Sequence, residues 1–225
     1  MRLALFDLDD TLVDRASAFR HSLEQLQHDL GIESPDFVPF ILRHANRDSA
    51  AGWLSWMQAA QEAFSFTGEA ATLVEQQRER YVALVEIEQE VIAALAELRG
   101  DDWRIVVVTN GPPTQLDVAR RCGLMAAVDD CLISAVVGLR KPDPAIFALA
   151  AQRVGGDLGH DAVWMIGDSP SDDIGGAVGV GINSIWISHG RRWTHPLFAP
   201  TETFDTIAEA FDRLIGRTDA GRASG

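Results

Sequence analysis

The chain has 225 residues, of which 47% are hydrophobic and 23% are charged. This composition is typical of a globular domain with a substantial core, and it excludes disorder along the whole chain. The 33 Asp and Glu residues outnumber the 19 Lys and Arg residues, which gives a formal net charge of -14 at pH 7. A negative field of this size repels nucleic acid and anionic lipid at long range, so we expect neither as a partner.

The cellular compartment is indicated by three features. Cys122 and Cys131 are the only cysteines, too few for a disulfide framework, which is typical of a reducing compartment. No apolar run approaches the roughly 18 to 20 residues that a membrane span needs. Residues 1–8 carry one Arg and lead directly into acidic residues, unlike a secretory signal peptide. We therefore expect a cytoplasmic protein without a membrane partner.

Short and nearly continuous apolar runs predict β-strands that are covered on both faces, as in a parallel sheet. These runs span residues 3–8, 105–108, 132–137, 162–166 and 184–187. Amphipathic helical patterns lie between the later runs and end at glycines such as Gly100 and Gly123. Because strands and helices alternate, the sequence predicts an α/β fold with a doubly wound parallel sheet.

The longest interval between predicted strands lies between the first two. Within it, residues 16–88 show only helical patterns, including an amphipathic stretch over residues 69–85. One helical face is formed by Trp53, Trp56, Met57, Ala60 and Phe64. We therefore predict a helical insert at residues 16–88, a core formed by residues 1–15 and 89–216, and a flexible tail at residues 217–225.

Polar side chains follow four of the predicted strands. They are, in chain order, Asp7, Asp9, Thr109, Asn110, Lys141, Asp168 and Asp173. Because ligands of open α/β sheets bind beyond the carboxyl ends of the strands, we expect these groups to converge. Crowded carboxylates either share protons or hold a hard cation, and a set of oxygen ligands without Cys or His favours magnesium. A carboxylate can also attack phosphorus, with a lysine and a hydroxyl neutralising the developing charge.

These segments resemble the four motifs of the haloacid dehalogenase-like (HAD) hydrolase superfamily, in the order in which that family carries them. They are Asp7-Leu8-Asp9-Asp10-Thr11, the apolar run into Thr109-Asn110, Lys141-Pro142, and Gly167-Asp168 followed by Asp173. The resemblance covers the core, and the helical insert is similar to the first type of cap in that family. It therefore implies a Rossmann-like core with a helical cap domain.

The resemblance also implies catalytic roles. Asp7 would be the nucleophile, and its carboxylate would bind magnesium. Asp9 would first protonate the leaving alcohol and then activate water, and its backbone carbonyl would touch the metal. Lys141 would pair with Asp7 and with the transferring group. Residues 13–17, at the entry to the insert, would face the site and select the substrate.

The remaining motif residues would bind the phosphoryl group and the metal. By resemblance, Thr109 and the amide of Asn110 would hold the phosphoryl oxygens. Asp168 would ligate magnesium, and Asp173 would support the metal directly or through water. Asp172 is the weaker match for that last role because the spacing in the family favours Asp173.

Asp9 indicates the type of reaction. Dehalogenases of this family lack an acid two residues after the nucleophile, because a halide leaves without a proton whereas an alkoxide needs one. The absence of lysine from residues 16–88 counts against the phosphonate hydrolases of the family. We therefore expect a magnesium-dependent phosphatase that acts on a small phosphorylated metabolite, as a monomer or a homodimer.

Other functions remain open at this point. A sugar-phosphate mutase would form the same phosphoenzyme on Asp7 but pass the phosphoryl group to a second hydroxyl instead of water. A haloacid dehalogenase is disfavoured by Asp9. A receiver module also combines an aspartyl-phosphate with magnesium, Thr and Lys, but its nucleophile follows the third strand, where residues 137–139 offer no acid. A non-catalytic binding protein on the same scaffold is a further class.

Overall fold

The computed structural model describes residues 1–45, 50–159 and 162–217. Within these ranges, the strands form one parallel sheet in the order β3-β2-β1-β4-β5-β6. They are β1 (Arg2–Phe6), β2 (Trp103–Thr109), β3 (Asp130–Ile133), β4 (Val163–Gly167), β5 (Asn183–Ile187) and β6 (Glu202–Phe204). The strand order reverses at β1, which pairs with β2 on one side and β4 on the other. The predicted doubly wound α/β fold is confirmed, and its switch point opens a crevice beyond β1 and β4.

The central strands are buried on both faces of the sheet. Leu3 and Leu5 of β1 pack into one hydrophobic cluster, whereas Ala4 and Phe6 pack into a second cluster on the opposite face. All four side chains are fully buried. Because successive side chains of a strand point to opposite faces, a strand between two helical layers needs apolar residues at every position. This explains why the strands appear in the sequence as continuous apolar runs.

Two predictions about the sheet were wrong. The run at residues 132–137 is a strand only to Ile133, and it continues as a short helix, α8 (Ser134–Val137). A short apolar run does not by itself distinguish a strand from a helix, and here Val136 is 58% exposed. The edge strand β6 was not predicted because its three residues carry no apolar run.

The predicted insert after β1 contains four helices in the described part of the chain. They are α1 (Arg15–Asp29), α2 (Phe37–His44), α3 (Ala50–Phe64) and α4 (Ala70–Leu84). Trp53, Trp56 and Phe19 of these helices are buried and meet edge to face or tilted, with ring centroids 5.6 to 6.2 Å apart. A buried hydrogen bond of 2.8 Å from Gln77 Nε2 to Ser22 Oγ joins α4 to α1. The helical nature of this insert matches the prediction, whereas its role as a separate cap domain stays a prediction.

Further helices cover the two faces of the sheet. They are α5 (Gln89–Gly100), α6 (Thr114–Arg121), α7 (Leu124–Ala127), α9 (Pro144–Arg153), α10 (Gly175–Val180) and α11 (Ile207–Ile215). A π-helical turn, Pro170–Ile174, precedes α10. None of the helices in the described ranges has the length and apolar character needed to cross a membrane. Of the predicted tail, only Arg217 is described, and it pairs with Glu97 and Asp212.

Candidate active site

The crevice beyond β1 and β4 holds a cavity of about 210 Å³. The loop after β1 contributes Asp7 and Asp9, and the loop after β4 contributes Asp168. The remaining lining comes from Asp10, Arg15, Thr109, Asn110, Lys141, Ser169, Asp172 and Asp173. The seven motif residues that the sequence analysis placed after the strands therefore line one cavity, whereas of the range 13–17 only Arg15 does. The parallel sheet brings them together because the carboxyl ends of β1, β2 and β4 lie at the same edge.

Lys141 lies at the centre of the cluster and is the only lysine in the sequence. Its Nζ is 2.6 Å from Asp7 Oδ1 and 2.7 Å from Asp173 Oδ1, and the residue is 1% exposed. Burial by itself lowers the pKa of Lys141, but the charges of Asp173 and Asp7 outweigh that effect and leave the pKa above its usual value. The ammonium group is therefore charged and shared between the two carboxylates.

The backbone at Lys141 is held by Asn110. Asn110 Oδ1 accepts a hydrogen bond from the Lys141 N–H, and Asn110 Nδ2 donates to the Lys141 carbonyl, both at 2.9 Å. The same Nδ2 donates to Asp172 Oδ2 at 3.0 Å. These bonds give the Asn110 side chain a positioning role that the sequence analysis missed. Its predicted contact with phosphoryl oxygens stays a prediction.

The Asp173 side chain reaches the site because the residue it packs against, Gly167, has no side chain. A Cβ at Gly167 would lie 2.2 Å from Asp173 Oδ2, so any other residue there would displace this carboxylate. The same oxygen accepts a hydrogen bond of 2.9 Å from the Ser169 N–H. Burial raises the pKa of Asp173, although the charge of Lys141 acts in the opposite direction. Asp173, and not Asp172, is the acid that the π-helical turn places beside Asp7 and Asp168.

Asp7, Asp168 and Asp173 can together hold a metal ion. Each offers one carboxylate oxygen, and these oxygens all lie within 4.8 Å of one another. Burial, and then the charges of Asp7 and Asp10, raise the pKa of Asp168 to about 6. The negative charge of Asp168 is therefore not fully balanced by the positive groups around it. A divalent cation would supply that compensation, and three carboxylate oxygens are a donor set that suits Mg²⁺. The Asp9 carboxylate does not belong to this group, and the predicted contact through its backbone carbonyl stays a prediction.

Arg191 is a further charged group beside the cluster, and the sequence analysis did not predict it. Its Nη2 lies 3.2 Å from Asp168 Oδ2 and donates to the Asp168 carbonyl at 2.9 Å. Trp186 Nε1 donates to the same carbonyl at 2.9 Å. Arg191 follows β5, so its pairing with a residue after β4 depends on the neighbouring positions of these two strands. Together these contacts fix the loop that carries Asp168.

Asp9 is held by two side-chain donors, Arg15 and Gln115. Arg15 Nη1 lies 2.9 Å from Asp9 Oδ2, and Gln115 Nε2 also donates to this oxygen. Burial raises the pKa of Asp9 to about 6, against the effect of Arg15. Arg15 falls in the range 13–17 that was expected to face the site, whereas no signal in the sequence pointed to Gln115.

Thr109 supplies a hydroxyl to the floor of the cavity. The residue is 1% exposed, and its Oγ1 has no hydrogen-bond partner among the described residues. A buried hydroxyl without a hydrogen-bond partner is energetically costly. The site is therefore suited to a ligand that forms a hydrogen bond with this hydroxyl. This arrangement is compatible with the predicted contact between Thr109 and a phosphoryl oxygen.

A carboxylate paired with a buried lysine, beside acids that could together hold a metal ion, lies at the switch point of the sheet. The family model of haloacid dehalogenase-like hydrolases matches residues 1–181. The chain therefore belongs to this family and is a hydrolase, which confirms the resemblance based on the four motifs.

Similar proteins cover nearly the whole chain. A phosphoserine phosphatase of Thermus thermophilus is 28% identical, over 94% of this chain and 98% of that protein. The solved structure of the HAD-hydrolase YfnB of Bacillus subtilis has a TM-score of 0.81 at 22% identity and covers 95% of this chain and 98% of its own. The structure of a 2-haloacid dehalogenase of Pseudomonas syringae has a TM-score of 0.69 at 26% identity and covers 97% and 100%.

Proposed function

We propose that this hydrolase is a magnesium-dependent phosphomonoesterase that cleaves a small phosphorylated metabolite through an aspartyl-phosphate on Asp7. The observation that carries the proposal is the position of Lys141, whose ammonium group lies between Asp7 and Asp173. With Asp168 beside it the cluster is net negative, so it suits an anionic substrate only when a divalent cation is held there as well. The phosphatase activity named for the Thermus thermophilus relative supports the same class of substrate.

The metal would be held by Asp7, Asp168 and Asp173, whose carboxylate oxygens already lie close together. When bound, Mg²⁺ would neutralise part of the charge on the phosphoryl group and on these acids. The chain itself carries many more acidic than basic residues. A cation at this point is therefore needed for an anionic substrate to approach the nucleophile.

The reaction would proceed in two steps. A carboxylate oxygen of Asp7 attacks phosphorus while Asp9 gives a proton to the departing alcohol. Lys141 and the Thr109 hydroxyl stabilise the charge on the phosphoryl oxygens during the transfer. In the second step, Asp9 takes a proton from water, and the water oxygen bonds to phosphorus as the bond between phosphorus and the Asp7 carboxylate oxygen breaks.

The predicted cap at residues 16–88 would regulate access to this reaction. Its helices α1 to α4 join the core beside the crevice, and Arg15 at the start of α1 lines the cavity. Closure of these helices over the crevice would exclude bulk water and bring residues that select the substrate against it. A cytoplasmic location, and a monomeric or homodimeric state, remain predictions.

The alternative activity is haloacid hydrolysis, because one of the similar structures is named as a 2-haloacid dehalogenase. The presence of Asp9 two residues after Asp7 favours an oxygen leaving group, because a halide needs no proton. A mutase would carry out the same first step, so the two activities differ only in the acceptor of the phosphoryl group. Analysis of the products from a hexose phosphate would separate hydrolysis from transfer within the sugar.

The direct test is phosphate release from an aryl phosphate and from a panel of phosphorylated metabolites. We expect release with Mg²⁺, its loss on chelation, and its recovery when Mg²⁺ is restored. The matched control is Asp172→Asn, which alters a cavity carboxylate outside the proposed metal set and should keep the same dependence on metal. Release that persists unchanged after chelation, or release of halide from a 2-haloacid with no release of phosphate, would overturn the proposal.

A further inference from the structure

The two oxygens of the Asp9 carboxylate are in very different surroundings. Oδ2 accepts hydrogen bonds from Arg15, at 2.9 Å, and from Gln115. Oδ1 is buried, and no donor among the described residues reaches it. A buried carboxylate oxygen without a partner is energetically costly, so this arrangement favours a hydrogen-bond partner that arrives with the substrate.

The two donors come from distant parts of the chain. Arg15 begins α1, after β1, whereas Gln115 lies in the first turn of α6, after β2. Gln115 is 3% exposed, and it fits only because residue 111 is a glycine. A Cβ at Gly111 would lie 2.7 Å from Gln115 Cγ. The contact between Gln115 and Asp9 therefore depends on the space left by the missing side chain at Gly111.

The location of the donors determines which oxygen can carry a proton. Arg15 is always charged and donates only, and the Gln115 amide nitrogen donates only as well. An oxygen that accepts from both has its lone pairs occupied, so a proton on Asp9 must reside on Oδ1.

The geometry points to Arg15 and Gln115 as positioning residues that hold Asp9 by Oδ2 and keep Oδ1 free for proton transfer. This inference rests on the proposed phosphatase function and adds two residues to its mechanism. In the first step, the Oδ1–H bond breaks and the proton passes to the ester oxygen, which takes the electron pair of the breaking P–O bond. In the second step, Oδ1 accepts a proton from the attacking water. One fixed side-chain orientation serves both steps because the same oxygen acts in each.

The inference is tested by comparing two substrates that differ in their need for a proton. An alkyl phosphate such as glycerol phosphate needs protonation of its leaving group, whereas 2,4-dinitrophenyl phosphate does not. In Gln115→Met and in Arg15→Met, we expect kcat/KM for the alkyl substrate to fall about 10- to 100-fold, and kcat/KM for the aryl substrate to fall less than about threefold. Since kcat/KM reports only the steps up to release of the alcohol, the difference isolates the role of the acid.

Two further variants distinguish positioning from a merely structural effect. Gln115→Leu nearly keeps the size of the side chain but removes the donor without adding charge, and it should give the same selective loss. Asp117→Asn changes an exposed side chain on α6 and should alter neither substrate. Thermal unfolding of each variant verifies that the kcat/KM values are compared between folded proteins.

An equal loss for both substrates in the folded Gln115 and Arg15 variants would overturn the positioning inference while leaving the phosphatase proposal intact. A wild-type protein that releases phosphate from neither substrate, nor from the metabolite panel, would instead overturn the proposed function itself.

Discussion

The helices between β1 and β2 and the crevice beside them bury very different side chains. In the helices, Trp53, Trp56 and Phe19 pack against one another as apolar rings. In the crevice, Lys141 and Asp173 are as deeply buried as those rings, although both are charged. Packing of rings stabilises the fold directly, whereas burial of charges costs free energy that their mutual attraction only partly offsets. The contrast separates the rings, which stabilise the insert, from buried charges whose cost to stability indicates that they serve another purpose.

The largest effect on activity is expected from Asp7→Asn in the crevice. Loss of the nucleophile should reduce kcat by roughly four orders of magnitude or more, since residues that act as a unit fail together. Because one charge of a crowded acidic cluster disappears, the thermal unfolding temperature should not fall as it does for a core substitution. Phosphate release and the mass of an acid-quenched phosphoenzyme measure the first effect, and scanning calorimetry measures the second. Wild-type turnover in Asp7→Asn would remove this residue from the nucleophilic role.

The reverse pattern is expected from Trp56→Ala in the insert. The residue is 2% exposed, and truncation of a buried Trp should lower the free energy of unfolding by about 3 to 5 kcal/mol. Denaturant titration gives the value, with Val136→Ala, at a position 58% exposed, as a control that should change stability by less than about 0.5 kcal/mol. A cost near zero for Trp56→Ala would show that the aromatic cluster does not hold the insert together.

The variant Lys141→Met tests activity and stability at a single residue. The loss of its charge should raise the barrier to phosphoryl transfer by about 2 to 4 kcal/mol, measured as kcat/KM. It should also destabilise the fold, because Asp7 and Asp173 would then repel each other without a buried counter-charge. The double variant Lys141→Met with Asp173→Asn should recover part of the stability and none of the activity. Recovery of activity in the double variant would contradict a direct role for the ammonium group.

The smallest effect is expected at the edge of the cluster. Asp168→Asn removes one of the three proposed metal ligands and should raise the Mg²⁺ concentration for half-maximal activity at least about tenfold, equivalent to about 1.4 kcal/mol. A Mg²⁺ titration of phosphate release measures the change, and activity at saturating metal should recover in part. An unchanged titration curve would exclude Asp168 from the metal site.

The architecture of the sheet was predictable because a strand buried on both faces needs apolar side chains at every position. The same rule failed at residues 134–137, which are apolar but helical, and at β6, which pairs only at the edge of the sheet. The roles of Asn110 and Gln115 in holding the backbone at Lys141 and the Asp9 carboxylate were not predictable. These contacts join residues 31 and 106 positions apart, a distance at which no local pattern predicts contact.

That the four motif segments meet at one site follows from the sequence alone, because polar residues after the ends of parallel strands share one edge of the sheet. How these groups are paired is decided only by the tertiary structure. The placement of Lys141 between Asp7 and Asp173, and of Arg15 with Gln115 on one oxygen of Asp9, depends on side chains from separate loops reaching a common point. The energy of such contacts depends on distances of a few ångströms and on the exclusion of water, and folding of the whole chain sets both.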